Sequence, residues 1–303
     1  MKKIKMMRLA SLAFLLITVL MVSCSDTESA LSAPVPNIAQ IVSQSPNFST
    51  LNAAVAKAGL ADALANTPNI TVFAPDNAAF AASGITSIDG FTSAQLRSIL
   101  LYHVFGQKVG SAAVPVSDTL NTLNTENIYA SRNVNGVFTN GWKVKQADIL
   151  GSNGVIHVIE RVLIPPSKTI VAIAIEDTTL SFLAKAINKL GLLPTFAGAG
   201  KYTVFAPTNQ AFRDAGITDV DLLPVPLLEQ VVKYHVIATN VFASDLVNGA
   251  TAPTLQGGTV TVNATPAANV KITTSAQPVS PITAANIVAT NGVIHKIGRV
   301  MIP

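Results

Sequence analysis

The chain contains four histidines, and they fall at two repeated positions. Tyr102-His103 and Tyr234-His235 lie 132 residues apart, whereas His157 and His295 lie 138 residues apart. A pair of imidazoles in each half of the chain is able to bind a metal ion or to exchange protons near neutral pH. No carboxylate accompanies both pairs at matching positions. We therefore favour buried structural histidines and predict no metal site, no catalytic site and no cofactor.

The elements that carry the Tyr-His pairs support the structural interpretation. Three apolar residues precede each histidine at i, i+3 and i+4, with the histidine at i+7: Leu96, Ile99 and Leu100 before His103, and Leu228, Val231 and Val232 before His235. This spacing predicts an amphipathic helix whose apolar face includes the imidazole. A histidine on such a face is most often hydrogen-bonded inside the core.

The repeated blocks divide the chain into two copies of one unit. TVFAPDNAAF at 71–80 recurs as TVFAPTNQAF at 203–212, with the same offset as the Tyr-His pairs. NGVIH at 153–157 recurs at 291–295 with the longer offset, so the second copy holds six more residues before its last block. We predict one domain over residues 38–166 and a second over 167–303.

Each copy begins with helix signals and ends with strand signals. Asp76 and Thr208 are predicted helix N-caps, and Gly59 is predicted to end the first amphipathic helix of its copy. Asn135-Gly136 and Asn140-Gly141 are typical of hairpin turns between alternating strands. Helices followed by strands predict an α+β domain with an antiparallel sheet.

The N-terminus predicts export and lipid anchoring. Basic residues, an apolar stretch from Leu9 to Val22 and a small residue precede Cys24, the single cysteine. This order is typical of a lipoprotein signal peptide over residues 1–23, with Cys24 as the attachment site for acyl chains such as palmitate. Residues 24–37 are predicted to be a lipidated tether. We expect a cell-envelope protein, at the outer membrane or cell surface rather than at the periplasmic face.

Composition excludes several other classes of protein. Apolar residues make up 49% of the chain and charged residues 12%, so large cores are expected and disorder is not. Of the 20 Lys+Arg, four lie within the signal, which leaves 16 against 16 Asp+Glu. A neutral mature chain offers no basic footprint for nucleic acid. No Gly-x-Ser-x-Gly elbow and no phosphate-binding glycine loop occurs, so we predict that the protein is not an enzyme.

The repeated motifs resemble those of the fasciclin domain. The first block matches the family's TVFAPTNxAF motif, the Tyr-His pair its central motif, and the segments ending in Pro165 and Pro303 its closing motif. The resemblance covers nearly the whole chain after the signal. It implies that each copy is a wedge-shaped β-sandwich with several helices packed in its first half. It also implies an extracellular adhesion or binding role.

The resemblance also supplies candidate ligand-binding residues. In animal fasciclin proteins, integrin recognition has been assigned around the Tyr-His motif and to an Asp-Ile pair, which implies this set: Tyr102, His103, Tyr234, His235, Asp148 and Ile149. The second copy has Asn286 in place of that aspartate. Trp142 is a candidate aromatic platform for a glycan, or else a packing residue. We predict a matrix-protein, glycan or cell-surface ligand. The alternative is a structural envelope protein that binds a partner in a membrane complex.

Overall fold

The computed structural model describes residues 34–264, 271–273 and 280–303. The predicted signal peptide, Cys24 and most of the predicted tether lie outside the described residues. Residues 35–303 form one compact unit. Within the described ranges, no helix is long and apolar enough to cross a membrane.

The first half of each copy is helical. In the first domain the helices are α1 (Ile38–Gln44), α2 (Ser49–Lys57), α3 (Ala61–Asn66), α4 (Asn77–Ala82) and α5 (Ser93–Tyr102). In the second domain they are α6 (Ile170–Glu176), α7 (Ser181–Lys189), α8 (Leu193–Ala197), α9 (Asn209–Asp214) and α10 (Val225–Tyr234). Short 3-10 turns occur at Pro46–Phe48, Ser111–Ala113, Thr178–Leu180, Val220–Leu222 and Ala243–Asp245. The predicted helical first half is thus confirmed in both domains.

The predicted helix boundaries agree with the structure. The Asp76 carboxylate accepts a hydrogen bond from the Ala79 N–H at 2.7 Å and caps α4. The Thr208 hydroxyl accepts from the Ala211 N–H at 3.2 Å and caps α9 in the same way. Gly59 follows α2 with a φ of 64°, a left-handed conformation that favours glycine. These signals are local, so the sequence alone predicts them well.

Seven strands follow the same order in both domains. The first domain has β1 (Ile70–Pro75), β2 (Val104–Phe105), β3 (Ser117–Asn121), β4 (Asn127–Asn133), β5 (Gly136–Thr139), β6 (Trp142–Gly151) and β7 (Gly154–Ile159). The second has β8 (Tyr202–Pro207), β9 (Val236–Ile237), β10 (Thr251–Pro253), β11 (Thr259–Asn263), β12 (Lys271–Thr273), β13 (Ser280–Ala289) and β14 (Gly292–Ile297). The sheet orders are β2-β1-β7-β6-β5-β4-β3 and β10-β11-β12-β13-β14-β8-β9.

The expectation of an antiparallel sheet is wrong for one strand pair in each domain. β1 runs parallel to β7, from Ile70 opposite Gly154 to Pro75 opposite Ile159, and β8 runs parallel to β14. Every residue of β1 and β7 is buried. Continuous apolar strands of this kind are typical of parallel pairs covered on both faces. The hairpin signals indicated only the antiparallel neighbours, because those strands are adjacent in sequence.

Each sheet curls into a near-barrel. The Leu123 N–H donates to the Val104 carbonyl at 2.9 Å, which brings the end of β3 to β2. The Leu255 N–H donates to the Val236 carbonyl at 2.8 Å at the matching place in the second domain. Each domain is therefore an α+β, seven-stranded β-sandwich with its helices in the N-terminal half.

Alternate residues of β1 face two different cores. Ile70 and Val72 pack against the helices, whereas Phe73 points into the barrel interior with Tyr102. The second domain repeats the arrangement, with Phe205 and Tyr234 inside its barrel. The Tyr-His motif thus sits where the last helix of the first half enters the barrel.

Candidate functional site

The histidine of each Tyr-His pair uses both ring nitrogens inside its domain. Nδ1 of His103 donates to the Ile99 carbonyl at 2.8 Å, and its Nε2 accepts from the Leu163 N–H at 2.9 Å. His235 makes the same two bonds, to the Val231 carbonyl at 2.7 Å and from the Met301 N–H at 2.8 Å. Each ring ties a helix to the closing segment of its domain.

The second histidine of each domain also uses both of its ring nitrogens in contacts with the backbone. Nε2 of His157 lies 2.8 Å from the Val109 carbonyl, and its Nδ1 accepts from the Asp148 N–H at 3.2 Å. His295 contacts the Val241 carbonyl at 2.8 Å and accepts from the Asn286 N–H at 3.4 Å. Burial lowers the pKa of His103, His235 and His295 to about 4. These three rings are therefore neutral at physiological pH.

The four histidines do not form a metal centre. Across the described residues no group of three or more His, Cys, Asp or Glu side chains lies close enough to hold a metal ion. Every imidazole nitrogen faces a backbone group, so the lone pairs that a metal requires are already engaged. The geometry fits structural histidines.

The tyrosines of the Tyr-His pairs lie inside the barrels. Tyr102 and His103 are 0% and 1% exposed, and Tyr234 and His235 are each 1% exposed. The Tyr102 hydroxyl donates to the Asn127 carbonyl and accepts from the Asn140 amide, both at 3.0 Å. Burial raises the pKa of Tyr102 to about 12.

This burial bears on the two interpretations of the Tyr-His pairs, as structural residues and as direct ligand contacts. A ligand on the folded surface cannot touch a side chain that has no accessible area. The folded structure therefore does not expose these four candidates to a ligand, because their helices turn them into the core: Tyr102, His103, Tyr234 and His235. Their contacts are those of fold determinants.

Asp148 is exposed, but its carboxylate caps a turn. It accepts hydrogen bonds from the Ser111 N–H at 2.8 Å and from the Ser111 hydroxyl, at the start of a 3-10 turn. These bonds lower its pKa. Asn286 fills the matching place and accepts from the Ala243 N–H at 2.8 Å. Asp148 and Asn286 have φ values of 61° and 59°, so both sit in the same irregularity of a long strand.

Ile149 does not join Asp148 in a common surface. It is partly buried and packs against the helical core of the first domain, whereas Asp148 points outward. Alternation along a strand places successive side chains on opposite faces. The Asp-Ile pair therefore presents one side chain to solvent, and that side chain is held by Ser111.

Several side-chain contacts join the two domains at their boundary. The rings of Tyr129 and Phe242 stack with centroids 4.6 Å apart. The Asn133 amide donates to the Ser244 carbonyl at 2.9 Å. The Asn286 amide donates to the Gly141 carbonyl at 3.2 Å.

Trp142 lines a cleft at this boundary. The cleft has a volume of about 310 Å³. Its walls come from the first domain, the connection between the domains and the second domain: Asn140, Trp142, Val162 to Lys168, Ile173, Asn286 and Val288. The Arg161 guanidinium lies over the Trp142 ring, 5.0 Å from its centroid. Of the predicted candidates, Trp142 is the one that lines this cleft, whose walls are both polar and apolar.

Sequence reasoning missed the boundary residues. Tyr129 of the first copy matches Thr261 of the second, and Phe242 of the second copy matches Gly110 of the first. Aromatic residues that appear in one copy alone are therefore the signal that points to the interface. The difference between Asp148 and Asn286 was visible in sequence, but its position at the boundary was not.

Comparison with known proteins shows which protein family the two domains match. The fasciclin domain profile matches residues 46–165 and 178–303. Transforming growth factor-beta-induced protein ig-h3 of Sus scrofa is 30% identical over 249 residues, 82% of this chain and 35% of that protein. Human periostin is 32% identical over 184 residues, 59% of this chain and 21% of that protein. The chain thus spans about a third, or less, of the length of these relatives.

A bacterial relative and a solved structure are also similar. A protein of Synechocystis sp. is 37% identical over 149 residues, 48% of this chain and 79% of that protein. The structure of a FAS1 domain pair from the insect cell adhesion molecule fasciclin I aligns with a TM-score of 0.44 and 18% identity. That alignment covers 85% of this chain and 97% of the other.

Proposed function

Because the chain belongs to the fasciclin domain family, we propose that it is a non-enzymatic adhesion or binding module of the cell envelope. Its ligand is a matrix protein, a glycan or another cell-surface molecule. The family resemblance supports this proposal through the adhesion role that it implies. The two matched segments take up most of the described chain, so the proposed activity belongs to the domains themselves.

One observation carries the non-enzymatic part of the proposal. The groups best suited to proton transfer, the imidazoles of His103, His157, His235 and His295, are all bonded to backbone groups. A general acid or base must reach the proton that it transfers. Binding through the outer surface is therefore the function that the geometry supports best.

The location of the module depends on Cys24. We propose that the cysteine carries acyl chains after removal of residues 1–23 and that residues 24–37 hold the domains away from the membrane. Expression with radiolabelled palmitate tests this point. The wild-type protein should take up label, and Cys24→Ser should not. Label on the Cys24→Ser variant would contradict attachment at this residue.

The adhesion role is tested with purified protein on arrays of matrix proteins and polysaccharides. Saturable binding that survives 0.15 M salt is the expected result, since salt screens weak surface attraction between charges. Absence of binding to every ligand class would overturn the proposal. Protease treatment of intact cells then locates the domains, and loss of the protein is expected for a module displayed outside the cell.

A further inference from the structure

We propose that the cleft between the two domains binds a saccharide chain, with Trp142 as the platform on which a sugar ring stacks. This inference rests on the proposed binding function and deepens it, because it names one ligand class and one site. Seven candidate residues were predicted from the sequence, and Trp142 is the one among them that lines this cleft.

The cleft has the size and the mixed walls that a sugar needs. Its volume of about 310 Å³ lies at the lower end of the ~300–1,000 Å³ typical of small-ligand pockets. Trp142, Pro165 and Pro166 supply flat apolar surface. Ser167 and Lys168 supply polar groups at its rim. A pyranose ring presents C–H groups on its faces and hydroxyls at its edge, which matches this division.

Two hydrogen-bonding groups of the cleft have no partner among the described residues. Trp142 is partly exposed, and its indole N–H makes no hydrogen bond there. The exposed Ser167 hydroxyl also makes none. Indole combines a broad apolar face with a single donor at its edge. Arg161 lies over one face of the ring, so a sugar would stack on the part of the indole that lines the cleft while the N–H donates to a sugar oxygen.

The walls of the cleft are already fixed before any ligand arrives. The Asn140 side chain accepts from the Tyr129 N–H at 2.8 Å and donates to the Tyr102 hydroxyl at 3.0 Å. Asn286 bonds both Ala243 and Gly141, so it spans the domain boundary. Arg161 packs over the indole. Groups held in this way lose little freedom on binding, which favours affinity for a small ligand.

The strand beside the indole favours a saccharide over an extended peptide. β6 begins with Trp142 and pairs with β5 at Trp142 and Lys143, so the backbone next to the indole is already hydrogen-bonded. A ligand at Trp142 therefore meets side chains rather than a free strand edge to which a peptide can add. The contacts offered there are an aromatic ring, prolines and side-chain donors.

The platform occurs once per chain. Ser280 begins β13 at the place where Trp142 begins β6, so the second domain lacks the indole. One saccharide site per chain follows. The chain also contains one tryptophan, so its fluorescence and its indole N–H resonance report directly on this cleft.

The experiment titrates the purified full chain with cellotetraose, chitotetraose and tetragalacturonate. Tryptophan fluorescence and the indole N–H peak are followed, together with heat of binding. At least one saccharide should shift both signals saturably with one site per chain. Trp142→Ala should weaken binding at least about tenfold by calorimetry, which corresponds to about 1.4 kcal/mol.

Two further variants separate binding from folding. Ser167→Tyr fills the cleft from an exposed position and should abolish the fluorescence shift while leaving the melting temperature unchanged. Arg161→Gln should weaken binding, whereas the matched Arg299→Gln in the second domain should leave it unchanged. Equal weakening by both arginine variants would contradict the site.

The outcomes distinguish this inference from the proposed function. Calorimetric binding without a change at Trp142 would overturn the cleft as the site and leave the adhesion proposal standing. Binding to matrix proteins on the array without binding to any of the three saccharides would overturn the ligand class. No binding to any ligand would overturn both proposals.

Discussion

The rings of Tyr129 and Phe242 stack across the boundary between the two domains, with centroids 4.6 Å apart. Tyr129 lies in β4 of the first domain, and Phe242 directly precedes a 3-10 turn of the second. Ser131 and Ser244 also approach each other across the same boundary, with their hydroxyl oxygens 3.4 Å apart. The aromatic pair therefore forms part of a continuous contact between the domains, which belong to one compact unit.

Replacing Tyr129 with the residue of the other copy should loosen the boundary. Tyr129→Thr removes the stacked ring, whose interaction with Phe242 contributes about 0.5–1.5 kcal/mol beyond burial. Small-angle scattering should show a larger radius of gyration, and thermal unfolding should separate into two transitions. Ser117→Ala is the control, because it removes the 2.5 Å hydroxyl contact of Tyr129 and leaves the stack in place. An unchanged scattering profile for Tyr129→Thr would contradict a boundary held by this pair.

Acid should destabilise the protein between about pH 6.5 and pH 4. Burial lowers the pKa of His103, His235 and His295 from 6.5 to about 4. In this range the unfolded chain binds more protons than the folded chain, so the free energy of unfolding falls as the pH falls. Each histidine contributes a slope of up to about 1.4 kcal/mol per pH unit. Urea unfolding measured at several pH values checks this dependence.

The histidine origin of this slope is tested with a neutral replacement. His235→Gln keeps a donor and an acceptor but does not titrate, so its stability should fall less steeply with acid than that of the wild type. The absolute stability of the variant is expected to be lower, since the amide does not reproduce both backbone bonds. The slope is therefore the quantity compared, and an identical slope would rule out His235 as a source.

Local features of the fold were predictable, whereas long-range pairings were not. The cap at Asp76 and the turn at Gly59 depend on residues within four positions in sequence, so composition and spacing indicate them directly. The parallel pairing of β1 with β7 joins Ile70 to Gly154, and no local pattern encodes that register. β7 lies between β1 and β6, and all of its residues are buried.

The candidate site was predictable only in part. In the sequence, Trp142 is an aromatic residue that the second copy lacks. Asn286 stands where the first copy has the carboxylate of Asp148. That they lie on walls of the same cleft depends on how the domains are oriented, and Tyr129 and Phe242 contribute to that contact. The apolar helix faces predicted that His103 and His235 are buried, whereas no sequence pattern indicated that Tyr102 and Tyr234 lie inside the barrels.

A side chain at Gly200 should destabilise the second domain. A Cβ there would lie 2.1 Å from Cε2 of Tyr202, whose ring packs edge-on against Phe196 at 5.5 Å. Gly200→Ala should therefore displace an ordered ring and destabilise the domain by about 1–3 kcal/mol. The first domain has Pro68 and Ile70 at the matching positions, so Pro68→Ala is the control and should cost less. Thermal unfolding compares the stabilities of the Gly200→Ala and Pro68→Ala variants. Equal losses of stability would contradict this explanation.

Asn291 should be among the most sensitive polar residues of the second domain. Its side chain accepts from the Ile170 N–H at 2.9 Å and donates to the carbonyls of Phe196 and Gly198 at 2.7 and 2.9 Å. It thereby joins the start of α6 and the end of α8 to the turn before β14. Asn291→Ala leaves a buried N–H without its acceptor, which costs about 1–3 kcal/mol.

A second substitution at Asn291 separates its accepting and donating roles. Asn291→Asp retains an acceptor for Ile170 but places a carboxylate beside two carbonyl oxygens, so it should destabilise the domain at least as much as Asn291→Ala at neutral pH. Protonation of that carboxyl restores one donor, and the gap between the two variants should narrow in acid. Denaturant unfolding at pH 7 and pH 5 measures both. A fully stable Asn291→Asp variant at pH 7 would show that the two donated bonds contribute little.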